Sequence, residues 1–297
     1  MNCLLCPRAC GADREKTLGF CGMPAQMRIG RACRHIWEEP PISGSRGSGT
    51  VFFSGCSLKC VYCQNYSLSR GDGVPVTPRE LADIFRLLED SGAHNIELIT
   101  PSHFVTGILR AFDIYRPALP VVYNCGGYES LKTLELLRGV VDVWLPDHKY
   151  ALSAPAKRYS AAPDYPERAL AALLKMRELA PKDVFDKEGI MQKGMIVRHL
   201  VLPANAENTF AVLDSVAANL GKETFFSLMR QYYPAGEAKN FPEINRPLKP
   251  LEYKACLAHA EKLGMENVFI QEEGEDEARY TPVFDGTVTG AIYGVGE

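Results

Sequence analysis

Short runs of apolar, β-favouring residues recur along most of the chain: Gly49–Ser54, Asn95–Thr100, Pro120–Asn124, Val140–Pro146, Met195–Leu202, Thr224–Met229 and Asn267–Ile270. Each predicts a buried strand. Between them the apolar spacing turns helical and start signals appear. Thr77-Pro-Arg-Glu80 opens one helix, Ser102 can cap another, and Pro250-Leu-Glu-Tyr253 opens the last. Buried strands alternating with helices imply a parallel α/β sheet with right-handed crossovers. Six or seven such units predict a complete or partial (β/α) barrel, with an open doubly wound sheet as the alternative. Residues 1–48 lack this rhythm and end in the turn-rich connector Pro40-Pro-Ile-Ser-Gly-Ser-Arg-Gly-Ser-Gly49. The expected organisation is therefore a short cysteine-rich N-terminal extension and connector over 1–48 and a barrel domain with a C-terminal extension over 49–297. The acidic run Glu272-Glu-Gly-Glu-Asp-Glu277 predicts a solvated loop.

With 297 residues, 46% hydrophobic and 23% charged, the chain can bury one large α/β core. The net charge of -3, from 33 basic and 36 acidic residues, gives no field that favours nucleic acid or an anionic membrane. The start, Met1-Asn-Cys-Leu-Leu-Cys-Pro-Arg8, shows no leader pattern, and no run approaches the eighteen or so apolar residues of a membrane span, so a cytoplasmic location is expected. In such a chain ten cysteines, eight of them within the first 63 residues, read as metal ligands or redox groups instead of disulfides.

The most specific chemistry lies in Gly55-Cys-Ser-Leu-Lys-Cys-Val-Tyr-Cys-Gln64, directly after the first predicted strand. Cys56, Cys60 and Cys63 are spaced by three residues and then two. Three thiolates this close suit a four-iron cluster with one iron left open. A structural zinc would need a fourth ligand from elsewhere and usually draws on separated cysteine pairs. The loop also falls where a barrel places its catalytic mouth.

The Cys-x3-Cys-x-aromatic-Cys pattern, with Tyr62 in the aromatic slot, resembles the radical S-adenosylmethionine (SAM) superfamily. The resemblance implies a 4Fe-4S cluster on Cys56, Cys60 and Cys63 whose open iron chelates SAM. One electron then cleaves SAM to methionine and a 5′-deoxyadenosyl radical. It also implies an external one-electron reductant of flavodoxin or ferredoxin type, with Tyr62 against the adenine. Where the superfamily usually has Gly-Gly-Glu for the SAM amino group, this chain has Thr100-Pro-Ser-His103. Either Ser102 or His103 supplies that contact, or Ser102 caps the next helix and His103 sits in its first turn. Asn124-Cys-Gly-Gly127 ends the next strand, its glycines suiting either a close ligand or a tight turn. Asp147-His-Lys149 resembles the Asp-x-Lys element of glycyl radical activating enzymes, including the pyruvate formate-lyase activating enzyme. There the pair lies near cofactor and substrate. By the same resemblance Arg198 forks onto the SAM carboxylate. Asn124 stands where those enzymes have an aspartate beside a monovalent cation.

Cys3, Cys6, Cys10 and Cys21 form a second, four-ligand set, with Cys33 as a possible substitute. The run Cys6-Pro-Arg-Ala-Cys-Gly-Ala-Asp-Arg14 with Gly19-Phe-Cys-Gly22 resembles the cysteine-rich N-terminal extension of a subgroup related to those activating enzymes. Zinc and an auxiliary iron-sulfur cluster both accept four thiolates, and either would supply folding energy to a segment with few apolar residues. Cys125 and Cys256 read as ordinary buried residues. Two enzymatic readings follow: an activase that abstracts hydrogen from a glycine of a glycyl radical enzyme, or a radical SAM enzyme acting on a small molecule or another peptide. A noncatalytic electron-transfer protein is the third class, and it has no use for an open iron.

Overall fold

The computed structural model describes residues 2–271 and 281–293. The strands are β1 (Met27–His35), β2 (Ser48–Phe53), β3 (Val74–Val76), β4 (Ile96–Ile99), β5 (Val121–Cys125) and β6 (Val143–Pro146). They continue with β7 (Val184–Phe185), β8 (Met191–Leu200), β9 (Phe225–Met229), β10 (Val268–Ile270) and β11 (Val288–Ile292). The α-helices begin with α1 (Pro40–Ser43), α2 (Tyr66–Arg70), α3 (Pro78–Asp90), α4 (Val105–Ile114) and α5 (Leu131–Leu136). The later ones are α6 (Ser153–Ser160), α7 (Tyr165–Leu179), α8 (Ala206–Asn219) and α9 (Pro250–Leu263).

Strands β2, β4, β5, β6, β8, β9 and β10 lie side by side in chain order, all parallel. A doubly wound sheet reverses its order at a switch point, so that alternative does not hold. With right-handed crossovers, an unreversed order puts the connecting helices on one face and curls the other inward. Among the described residues the ring is not closed. Strand β1 occupies the free edge of β2 in antiparallel register, and among the described residues β10 pairs only with β9.

The strands read as unbroken apolar runs because both faces are covered. Val51, Leu98, Tyr123, Trp144, Val197 and Phe226 pack outward against helix residues such as Leu81, Phe85, Ile108, Leu173 and Leu213. Inside, Val122, Val143, Leu145 and Ile196 close the N-terminal end of the curl over Ile42 of α1. Each such side chain contributes about 1.5–3 kcal/mol by leaving water. The upper inner face is left polar.

Helix α3 starts as its sequence predicts: Thr77 accepts from the Glu80 N–H at 3.2 Å and Glu80 accepts from the Thr77 N–H at 2.7 Å. Ser102 does not cap a helix. It lies in a 3-10 turn before α4, and its hydroxyl is drawn to a buried carboxylate, Glu129, at 2.6 Å. The stretch without periodicity contains the nine-residue strand β1. Arg28, Arg31 and Arg34 break its apolar pattern, yet their side chains reach carbonyls or rings at the sheet edge: Arg28 to Gly73, Arg34 to Gly290 at 2.8 Å, and Arg31 over Tyr293. The acidic run 272–277 lies outside the described residues.

Candidate active site

The loop after β2 turns sharply at Gly55, whose φ is 83°. A Cβ there would lie 2.3 Å from Met23 Cγ and 2.9 Å from the Cys21 carbonyl, so only glycine lets the N-terminal extension press against this loop. Cys56, Cys60 and Cys63 all border one cavity of about 590 Å³, a volume suited to a nucleoside-sized ligand. Donors already meet the sulfurs: the Leu58 N–H reaches Cys56 Sγ at 3.4 Å, the Ser160 hydroxyl reaches Cys60 Sγ at 2.9 Å, and the Ser69 side chain is a hydrogen-bond partner of Cys63. Burial raises the Cys56 thiol and pushes Cys63 up to about 12, with the other cysteines adding to the effect and the Lys149 ammonium opposing it. Such thiols keep their protons until a metal replaces them.

Among the described residues no three His, Cys, Asp or Glu side chains converge to hold a single metal ion. A mononuclear zinc would need its ligands about 2.3 Å from one point, whereas a cuboidal cluster takes each cysteine on a separate iron. The donor set fits the cluster in its chemistry: one buried and two partly buried thiols bordering one cavity, met by N–H and O–H donors, with an ammonium nearby and open space beyond.

The strand ends supply the polar wall. The Asp147 N–H donates to the Cys125 carbonyl at 2.8 Å and the His148 N–H to the Arg198 carbonyl at 2.7 Å, which extends the parallel ladder and sets Asp147 beside Arg198. Gly127, with φ 75°, is required by this turn, since a Cβ would sit 2.1 Å from the Asp147 carbonyl. The guanidinium of Arg198 contacts Asp147 at 3.0 Å, Glu38 at 2.6 Å and Asn124 Oδ1 at 2.6 Å, with Glu39 3.8 Å away. Lys149 Nζ lies 2.5 Å from Asp147 Oδ2. Burial alone would raise Asp147, but Lys149 and Arg198 hold it below the usual carboxylate range. Glu38 is pushed well above that range by burial and by neighbouring Glu97. Two extra carboxyls thus share one guanidinium, and Glu39 Oε2 has no hydrogen-bond partner.

Cys56, Cys60, Cys63, Tyr62, Ser102, Asn124, Asp147, Lys149 and Arg198, all expected at a site, border this one cavity. His103 does not border it. Its ring bonds the Ser54 carbonyl at 2.7 Å, and burial lowers it to about 4. Tyr62 is 5% exposed, its ring edge-on to Tyr159 and Tyr232 and its hydroxyl 2.8 Å from that of Tyr150. Sequence reasoning missed Glu38, Glu39, Glu97 and Glu129. Asn124 Nδ2 donates to Glu97 at 2.8 Å, and Thr50 donates to the same carboxyl at 2.9 Å. Glu129 borders the cavity, accepts from Ser102 and Tyr123, and is pushed by burial up to about 7. The one signal for it was the continuation Gly126-Gly-Tyr-Glu129 beyond a strand end.

The N-terminal extension is built from turns. Cys3 and Cys6 close short loops through the Cys3 N–H to the Ala12 carbonyl at 3.0 Å and the Ala9 N–H to the Cys6 carbonyl at 3.0 Å. Burial pushes Cys6 up to about 12, and Cys21 and Cys3 are close enough to add to the effect. Cys10 is exposed. Cys33 lies elsewhere, fully buried in β1 among Phe52, Leu68 and Ile99. Arg8 ties the extension to the triplet loop, donating to the carbonyls of Ser57 at 2.9 Å, Ser160 at 2.8 Å and Ala161 at 2.6 Å.

No protein-family model matches the chain. The uncharacterized protein MJ0674 of Methanocaldococcus jannaschii is 30% identical over 279 residues, which cover 90% of this chain and 77% of that protein. The chain belongs to the MJ0674 family. Among solved structures it is similar to Streptococcus suis SuiB bound to the precursor peptide SuiA, at 12% identity and a TM-score of 0.51 over 76% of this chain and 48% of SuiB. It is also similar to anSMEcpe with bound AdoMet, at 12% identity and a TM-score of 0.51 over 81% of this chain and 64% of that one. The chain thus spans about half the length of SuiB. These likenesses show the fold of this MJ0674 family member: an α/β fold shared with SuiB and anSMEcpe. Among the described residues no helix is long and apolar enough to cross a membrane.

Proposed function

We propose that the protein is a radical SAM enzyme with a 4Fe-4S cluster on Cys56, Cys60 and Cys63. The observation that carries this reading is the shared cavity: three closely spaced cysteines border it together with Asp147, Lys149 and Arg198. When bound and reduced by an external flavodoxin- or ferredoxin-type donor, the cluster supplies one electron that breaks the sulfur-carbon bond of SAM, giving methionine and a 5′-deoxyadenosyl radical. Arg198 binds the SAM carboxylate, which takes the place of Glu38 on the guanidinium fork. Asn124 steadies that fork through its 2.6 Å contact. Ser102 and Glu129 stand on the wall where the amino group is expected, and Glu129 gains charge as the ammonium arrives. Tyr62 offers a ring to the adenine. Asp147 and Lys149 lie nearest the substrate and hold it so that one hydrogen faces the radical carbon, while the buried walls exclude water.

The substrate reading is an activase acting on a glycine of a partner protein, on the strength of the Asp147-His-Lys149 element. SuiB was captured with a precursor peptide, which supports a peptide at a cavity of this kind. A small-molecule substrate is the second reading, favoured by the two extra carboxyls Glu38 and Glu39 on the cavity wall. The N-terminal cysteines Cys3, Cys6, Cys10 and Cys21 hold a separate zinc or iron-sulfur group. Deuterium carried by a candidate glycyl radical enzyme at its glycine, appearing in 5′-deoxyadenosine, establishes the activase reading. Its absence, with 5′-deoxyadenosine still formed, turns the search to small molecules.

A further inference from the structure

Helix α6 ends at Ser160, whose hydroxyl points at Cys60 Sγ from 2.9 Å. Serine near a helix end commonly bonds a carbonyl one turn back. This hydroxyl goes to sulfur instead. Its oxygen lies 2.8 Å from the Tyr150 hydroxyl, which in turn lies 2.8 Å from the Tyr62 hydroxyl. Ser160, Tyr150 and Tyr62 are 2%, 0% and 5% exposed, so water does not compete for these bonds.

Proton counting fixes the direction. A cysteine bound to iron has lost its proton and only accepts. Ser160 must then donate to Cys60, leaving its oxygen to accept from Tyr150 and that of Tyr150 to accept from Tyr62. The three hydroxyls form a one-way chain that ends on a cluster ligand, and each bond polarises the next. Arg8 fixes the chain's last member. By binding the carbonyls of Ser160 and Ala161 as well as that of Ser57, it locks the end of α6 to the triplet loop. Of the other two sulfurs, Cys56 is met by backbone N–H groups, that of Leu58 at 3.4 Å, and Cys63 by the Ser69 side chain, which has no such relay behind it among the described residues.

We infer that Ser160, backed by Tyr150 and Tyr62, is a positioning residue that donates a hydrogen bond to the Cys60 ligand and raises the reduction potential of the cluster. Reduction adds negative charge that spreads onto the ligand sulfurs, and an aimed O–H offsets it, so the reduced state gains more than the oxidised one. The inference rests on the cluster proposed above.

The test is a reductive titration of the full chain, anaerobically reconstituted with iron and sulfide, followed through the electron paramagnetic resonance signal that changes when SAM is added. In Ser160→Ala the midpoint moves to a more negative potential, and in Tyr150→Phe it moves the same way by less. By electron-nuclear double resonance the unaltered protein shows, besides the weaker couplings of backbone N–H protons such as that of Leu58, one more strongly coupled exchangeable proton, and Ser160→Ala loses that one alone. A fully loaded Ser160→Ala protein with an unchanged midpoint overturns the inference. So does the absence of that exchangeable proton from the unaltered protein, a readout that needs no variant to fold. If iron analysis shows that Cys56, Cys60 and Cys63 take up no cluster at all, the proposed function fails and this inference with it; an occupied cluster with an unchanged midpoint sinks the inference alone.

Discussion

Cys56, Cys60 and Cys63 follow a strand that the sheet grips on both edges, through β1 on one side and β4 on the other. Cys3, Cys6, Cys10 and Cys21 sit in a segment of turns, anchored chiefly by the side chains of Arg8 and Arg14. The first group borders a cavity that polar strand ends also line, the place where the proposed function puts a ligand and an open iron. The second joins no strand of the sheet, and what it can offer is four thiols. In the proposed reading, similar cysteine chemistry therefore serves two ends: a site positioned by the fold, and a clasp to which a metal would lend its shape.

The largest expected effects separate these groups. Replacing Cys60 by alanine abolishes 5′-deoxyadenosine formation and removes the SAM-sensitive cluster signal, whereas Cys6→Ala keeps that signal while losing the N-terminal metal and melting earlier. Metal analysis with a 5′-deoxyadenosine assay checks both. Loss of the signal in Cys6→Ala would mean that the two groups are not separate sites.

Arg198→Ala leaves Glu38 and Asp147 buried without the guanidinium that they share. Urea unfolding is expected to show a loss of about 3–5 kcal/mol. Arg198→Lys restores charge but not the fork, so it recovers part of the stability while SAM binding stays weak. Equal SAM affinity in Arg198→Lys and the unaltered protein would break the assigned role.

Glu129 tests the cavity wall through pH. Burial raises its carboxyl from an ordinary 4.5 to about 7, so between these values the fold holds a proton that the unfolded chain has released. Its contribution to stability is complete below pH 4.5 and is lost as pH rises to about 7. Glu129→Gln removes that loss, and at about pH 8 the variant unfolds with up to about 3 kcal/mol more stability relative to its own difference at about pH 4. Parallel stability curves for the two proteins across this window would contradict the assignment.

The smallest effect concerns the clasp. Arg8→Ala removes three charge-assisted bonds to backbone carbonyls and is expected to cost about 2 kcal/mol. Proteolysis should then enter the N-terminal extension before the sheet. Uniform protection would show that the extension is held by something other than Arg8.

Six of the seven parallel strands were legible because they are largely buried on both faces and need no partner pattern to be seen as apolar; β10, at the edge with Ile270 exposed, was legible from its short apolar run alone. The triplet was legible because its three ligands are local. Strand β1 was not, since its arginines satisfy themselves on groups far along the chain, such as Gly290. Nor was the crowding of Glu38 onto Arg198 across 160 residues, because it depends on the connector being drawn back under the curl by Ile42. The Ser160–Cys60 contact spans 100 residues and has no local mark either. For His103, the sequence showed a polar residue at a strand end, while the choice between facing the cavity and turning to the Ser54 carbonyl was made by packing against Phe104.

The central claim is an open iron in the cavity bordered by Cys56, Cys60 and Cys63. Its most direct test is the electron paramagnetic resonance spectrum of the reconstituted, reduced protein before and after SAM is added. The account predicts a changed cluster signal followed by 5′-deoxyadenosine. A fully occupied, reduced cluster whose spectrum SAM leaves untouched would contradict it.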